Sequence, residues 1–551
     1  MKKLIYVFCS ASLLTFFLSC EQELVDNSAS PCPSDDPSII CPGEAPVPCP
    51  PGSTAGSADF AKFVAIGSSY TAGFQAGALF NEGQNNSLAK ILSDRFACVG
   101  GGAFNQPSIS SVNGYNIFIT PNPVGTTVLG RFRLQGTPPR PTPVLSGTIP
   151  GSDAVPNPQV NPGFLYTGNK AVLNNFAVQA TFLRQLFASS AGDWSNPNPA
   201  MGFTPFYARF ASNPGTSTIL NDAVAADPTF FMFWQGMDDY LLHAAFGGDP
   251  AKAPLTPVDG GVGVGFTSTY NAAIATILAS DANLKGVVAN FPSVFALPHF
   301  TAIPYNPVVM AEAQANAAKS GYGGYNQILE ALKSPPFSYP AAEVNARKIT
   351  FAPGNNGFVI VDETVNDYGD EFDMLKGAGA ISAEQRAALV PYEQVRQTKA
   401  GDIIPLGAGS VLGTLADPGN PASVRGVGVP LADQYALIPS EITAIENARM
   451  GYNAAIAAVA STYSTKLALA DVNAYFNAFL ANRAAVSNNI TVTPNINPPT
   501  GIYSEDGMHP NSRGYALIAN IFIDAINAKF GASVPKANLA DYSATGLPVN
   551  P

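Results

Sequence analysis

Charge is what this chain has least of: Asp, Glu, Lys and Arg make up only 12% of its 551 residues. The 28 Lys and Arg are outnumbered by 39 Asp and Glu, which leaves a net charge of −11. With no basic stripe, the chain lacks the footprint of a nucleic-acid binder and cannot dock on anionic lipid by charge. Histidine is scarcer still, with three residues far apart, and the six cysteines offer no paired short-spaced ligands. That pattern excludes an ordinary zinc site, and nothing calls for another metal or an organic cofactor. Scarcity of charge does not mean disorder, because 46% of the residues are hydrophobic and disordered chains combine low hydrophobicity with high charge. The 50 Gly and 48 Pro instead imply long ordered loops. The length is ample for one large domain or two ordinary ones.

Long apolar runs are also rare, and the clearest one opens the chain. Met1-Lys2-Lys3 followed by Leu4 to Leu18 is a basic start and an apolar stretch too short to span a membrane comfortably. It ends in Phe17-Leu18-Ser19-Cys20, which looks like a lipoprotein cleavage site. The expectation is a signal peptide over 1–19 and lipidation of Cys20. Acyl chains on Cys20 would anchor the protein in a bacterial cell envelope, at the outer membrane on its periplasmic or surface face. An ordinary secretory signal with a chance Cys is the alternative. Residues 20–57 are rich in Pro, Ser and Asp and read as a tether. Export permits disulfides among Cys32, Cys41, Cys49 and Cys98, and their spacing leaves the pairing open.

The folded domain is expected over 58–535, with a tail over 536–551. Phe63–Ile66, Thr229–Trp234, Gly286–Phe291, Phe358–Asp362 and Leu467–Val472 read as strands apolar on both faces. A helix capped by Ser440 carries Ile442, Ile445, Tyr452, Ile456 and Val459, and a last helix from Ser512 ends before Gly531. Strands alternating with helices predict an α/β fold, a three-layer α/β/α sandwich on a mostly parallel sheet. Residues 101–165, dense in Gly, Pro and Asn, read as an insertion of loops, and 300–430 as a second insertion mixing helix and loop. An outer-membrane β-barrel, which the charge-poor composition suggests, is opposed by the helical stretch 440–460.

Two segments at opposite ends of the domain carry the chemistry. Phe63-Val64-Ala65-Ile66-Gly67-Ser68-Ser69 reads as a strand that breaks at Gly67 and presents a serine at its C-terminal end, where open α/β sheets bind ligands. Asp506-Gly507-Met508-His509-Pro510 sets a carboxylate three residues before a histidine. A serine hydroxyl needs a base, and a histidine base needs a partner that fixes its tautomer. A serine that merely caps the next helix is the plainer reading of Ser69 alone. His299, in Leu297-Pro298-His299-Phe300, reads first as a structural loop residue and second as one lining the cleft.

These two segments resemble the SGNH (GDSL-type) hydrolases, in particular large lipoprotein members of that family, over roughly residues 59–531. The resemblance implies Ser69 as nucleophile, His509 as base and Asp506 as its orienting partner. Weaker middle blocks, Asn174 to Thr181 and Gly236-Met237-Asp238-Asp239, fall where the family places its oxyanion donors. The implied donors are the N–H groups of Ser69 and Ala180, with Asp238 at the third position. The family has Gly where Ala180 stands, Asn where Asp238 stands and Asp where Ser68 stands. Ala keeps its N–H, whereas an ionised Asp238 accepts hydrogen bonds and cannot donate one. Three outcomes are open for Asp238: protonation by burial beside Asp239, turning away while Gln235 or another group serves, or a weak site. The implied activity is hydrolysis of carboxylic esters, whether of lipids, acylated sugars or small acyl groups. The alternative is a surface binding lipoprotein that kept the fold and lost the chemistry. Neither reading fixes the oligomeric state.

Overall fold

The computed structural model describes residues 49–116, 129–135, 140–145, 164–198, 201–487 and 489–544. The expected signal peptide, Cys20, Cys32, Cys41 and most of the expected tether lie outside the described residues, as do the last residues of the chain.

Four parallel strands form the main sheet: β1 (Phe63–Gly67), β4 (Phe230–Trp234), β5 (Lys285–Ala289) and β10 (Leu467–Ala470), in that spatial order. All residues of β1 and β4 are buried, as expected of runs that are apolar on both faces. An extended segment lies parallel along the outer side of β1. There the Ala65 N–H donates to Asn174 O at 2.8 Å, Phe176 N–H to Ala65 O at 2.8 Å and Val178 N–H to Gly67 O at 3.0 Å. β1 and β4 are neighbours in register, with Gly67 opposite Trp234, so whatever follows each of them emerges side by side.

The helices that matter here are α1 (Ser69–Ala72), α2 (Leu88–Phe96), α3 (Asp238–Ala245), α4 (Phe266–Leu278), α5 (Glu312–Gly321), α6 (Gly323–Ala331), α7 (Pro439–Thr462) and α8 (Ser512–Phe530). Both α7 and α8 pack on β5 and β10, α2 lies against α8 and α4 against α7. The expected face of α8 (Tyr515, Ile518, Phe522 and Ile526) is buried. Asn511 caps that helix by accepting the Gly514 N–H at 2.9 Å. α7 starts one residue before Ser440, at Pro439, with Ile438 at the cap position. Proline has no N–H to satisfy and a φ already suited to a first turn, and Glu441 completes the start by accepting the Ile438 N–H at 2.8 Å.

Two further expectations are corrected. Phe358–Asp362 forms a strand, β8 (Val359–Val361), but outside the main sheet. It pairs antiparallel with β9 (Val395–Gln397), as β6 (Val308–Met310) does with β7 (Gly354–Asn356). Val359 belongs to one small apolar core with Leu329, Tyr368 and Phe372, while Phe358 and Ile360 belong to another with Ile404 and Leu431. The run is apolar on both faces because it separates two small cores. Periodicity alone cannot distinguish that from a central strand. The loop-rich insertion over 101–165 contains an antiparallel hairpin, β2 (Leu129–Gln135) with β3 (Arg140–Leu145). It docks where the Phe132 N–H donates to Ala76 O at 2.6 Å and the Arg131 N–H to Asn113 O at 2.7 Å.

The main unit starts at Cys49, ahead of the expected boundary at 58. Cys49 is disulfide-bonded to Cys98, just beyond α2. The Ser57 N–H donates to Phe530 O at 2.8 Å and the Ser533 N–H to Thr54 O at 2.9 Å, so both ends of this unit meet. Among the described residues, no helix is long and apolar enough to cross a membrane.

Candidate active site

The last residue of β1, Gly67, leaves no room for a side chain, because a Cβ there would run into Thr71 and the Trp234 carbonyl. The chain then turns through Ser68 into α1, whose Thr71 and Ala72 N–H groups both donate to Ser68 O at 3.0 Å. Ser69 is the first residue of α1, and its N–H has no acceptor within the helix. The segment beside β1 continues to Ala180, whose N–H donates to Ser69 Oγ at 3.0 Å. Ala180 has φ +52, a left-handed conformation that costs a residue with a Cβ roughly 1–2 kcal/mol. The backbone thus keeps a glycine's geometry with an alanine in place.

Asp238 opens α3 just beyond β4, and its Oδ2 accepts the Thr181 N–H at 3.1 Å. Burial pushes its carboxyl up to about 6, opposed by the charge of His509 and by hydrogen bonds from Ser68, Thr181 and Ser69. Asp238 therefore faces the serine and does not turn away. Gln235 is engaged elsewhere: its amide Nε2 donates to Thr181 O. Asp239 holds the same loop, accepting the Leu183 N–H at 2.7 Å and the Thr256 hydroxyl at 2.6 Å, and burial pushes it up to about 7.

Asp506 and His509 form a close pair, with Nδ1 2.8 Å from Oδ2. Asp506 also accepts the N–H groups of Gly77 at 2.7 Å, Met508 at 2.8 Å and His509 at 2.8 Å. His509 and these hydrogen bonds outweigh the cost of burial and hold its carboxyl down at about 2. A carboxylate only accepts, so Nδ1 carries the proton and Nε2 is left as the basic nitrogen. Phe74 and Tyr70 pack on the imidazole, with ring centroids 4.8 and 5.5 Å away. The Tyr70 hydroxyl donates to Met508 O at 2.6 Å. Ser69 is 1% exposed and His509 2%. Among the described residues they share no hydrogen bond, the Ser69 oxygen being turned to the Ala180 N–H.

No known protein family, curated protein or solved structure matches this chain.

The fold thus brings Ser69, Ala180, Asp238, Asp506 and His509 to one end of the sheet, from segments far apart in the chain. Cys20 lies outside the described residues. Two supports were not singled out from the sequence. Gly77, at φ +73 with the Phe132 ring where a Cβ would stand, gives its N–H to Asp506. Ser504 accepts the Ala76 N–H at 2.8 Å and lies 2.9 Å from His509 O. Only their nearness to the two motifs could have flagged them. His299 lies against the same loop: its N–H donates to Gly507 O at 2.9 Å, and its Nδ1 is 3.3 Å from Asp506 O. Burial lowers it to about 4, so at neutral pH it brings no charge to the pair.

Proposed function

We propose that the protein is a serine ester hydrolase of the SGNH type. The observation that carries this reading is the convergence, off the ends of β1 and β4, of a serine oxygen held by a backbone N–H with a histidine oriented by a buried carboxylate. Ser69 turns its hydroxyl to His509 Nε2, gives up its proton and attacks the ester carbonyl. The Ser69 and Ala180 N–H groups receive the oxyanion, and Asp506 stabilises the imidazolium. The alcohol leaves with the proton from His509, and water activated by the same nitrogen releases the acyl group. Asp238 opposes the oxyanion as a carboxylate and supports it when protonated. The strand order, with an edge segment beside β1, suits a doubly wound sheet whose ligands bind where the order reverses. Two helices covering the same strands, α7 and α8, suit a three-layer sandwich. The Cys49–Cys98 disulfide suits export, in keeping with a lipid anchor at Cys20.

One observation favours a second reading. A carboxylate at position 238 beside a closed serine also suits a surface lipoprotein that binds without turning over. The separating experiment is hydrolysis of p-nitrophenyl esters by the full chain and by Ser69→Ala, with fluorophosphonate labelling of both. Turnover and labelling are expected in the wild type and neither in the variant. A folded wild type that neither hydrolyses nor labels favours the binding protein.

A further inference from the structure

We propose that His299 is a positioning residue for the Asp506–His509 pair, holding the turn between them by two hydrogen bonds to its carbonyls. The turn Asp506-Gly507-Met508-His509 exposes four carbonyl groups, and each buried one needs a donor. The Tyr70 hydroxyl donates to Met508 O at 2.6 Å and the Ser504 N–H to His509 O at 2.8 Å. The other two carbonyls both turn to His299. Its N–H lies 2.9 Å from Gly507 O and its Nδ1 3.3 Å from Asp506 O. A carbonyl only accepts, so Nδ1 carries the proton. Gly507 permits this approach. It has φ +70, and a Cβ on it would stand 2.8 Å from His299 N, so only glycine lets the two backbones meet.

The ring itself is spent on this one contact. His299 is 8% exposed, and among the described residues its Nε2 makes no hydrogen bond. A buried polar ring with one satisfied nitrogen marks that nitrogen's bond as the reason for its place. Its neutrality matters as well. Burial lowers it to about 4, so it donates without charge wherever His509 acts as a base. A cation at this position would compete with His509 for the charge of Asp506. That the held pair serves catalysis rests on the ester-hydrolase reading; the holding of the pair does not.

The test compares His299→Asn, His299→Gln and His299→Leu in the full chain. Asparagine sets an amide N–H where Nδ1 stands, glutamine reaches past it, and leucine has no donor. The first readout is the downfield proton resonance of His509 Nδ1–H bonded to Asp506, identified by its loss in His509→Gln. It should stay in place in His299→Asn and shift or broaden in the other two. The second is hydrolysis of p-nitrophenyl acetate. The kcat should fall about three- to tenfold in His299→Gln and His299→Leu, the loss expected for one hydrogen bond, with KM unchanged. His299→Asn should restore it. Where the leucine variant does not fold, the asparagine and glutamine pair decides. A resonance unmoved in all folded variants, with only the melting temperature lowered, would make His299 a packing residue and overturn the proposal. So would equal losses of kcat in His299→Asn and His299→Gln, or a wild type without the resonance. The expected resonance pattern in a protein that hydrolyses no ester would support the positioning role and sink the hydrolase reading.

Discussion

Asp238 is the residue on which activity turns. Its carboxyl, pushed up to about 6 by burial, is mostly ionised at pH 8 and mostly protonated at pH 5. Losing one oxyanion donor costs about 10²–10³ in rate. Asp238→Asn keeps an N–H donor at every pH and should raise esterase kcat at pH 8 by about tenfold or more. The gain should shrink as the pH falls below 6. Equal or lower activity of the variant across the range, measured as a pH–rate profile, would show that the carboxylate has its own part in the site. Ser69, Asp506 and His509 were legible at this scale because their spacing and strand context are local. The direction in which Asp238 points was not, because it depends on the Thr181 N–H, supplied by a segment about sixty residues earlier in the chain.

At the scale of elements, the part between Ile303 and Ile438 stands on its own cores and on one buried ionic cluster. Arg396 donates to Asp362 at 2.5 Å and to Asp402 at 2.6 and 3.0 Å, with all three side chains nearly inaccessible. Arg396→Leu leaves two carboxylates buried without their cation and should cost about 3–5 kcal/mol. Because the cores here are small and separate, the loss should appear as an early thermal transition and as new protease cuts within 303–438. A single unshifted transition would contradict this. β1, β4, β5, β10 and α8 could be read from the sequence because each is a continuous apolar or amphipathic run. Assigning β8 to the main sheet failed because its pattern matches a strand between two cores equally well. The β2–β3 hairpin was hidden by its prolines, since Pro141 and Pro143 argue against a strand except at an edge. The start of α7 was missed by two residues, the cap being Ile438 where Ser440 was expected, because Pro439 opens the first turn.

Over the whole molecule, several carboxyls sit above their ordinary range: the buried Asp238 at about 6 and Asp239 at about 7, and the half-buried Asp433 at about 7 and Glu441 at about 8. Burial is the main cause in each. Crowding by Glu363 adds to it for Asp433 and Glu441. Between pH 4 and pH 8 the folded chain therefore holds more protons at these four sites than the unfolded chain, and their contribution to stability falls as pH rises, opposed up to the ordinary histidine range by His299, which burial lowers to about 4. Asp506, held at about 2, and Asp362, held low by Thr364 and Arg396, work in the opposite direction. Their contribution is complete above the ordinary carboxylate range and is lost only on strong acidification. The melting temperature should thus peak near pH 4–5 and decline steadily to pH 8. Calorimetry at low ionic strength that found it rising over that interval would show the raised carboxyls to be paired in solution.

The Cys49–Cys98 bond also decides how the molecule bears mechanical load. It closes a loop of the chain that contains β1 and Ser69. A pull on the chain upstream of Cys49 takes the short covalent path through the two sulfur atoms to the end of α2. The enclosed loop lies in parallel with it, so such a pull loads the helix end before it loads the backbone that carries the serine.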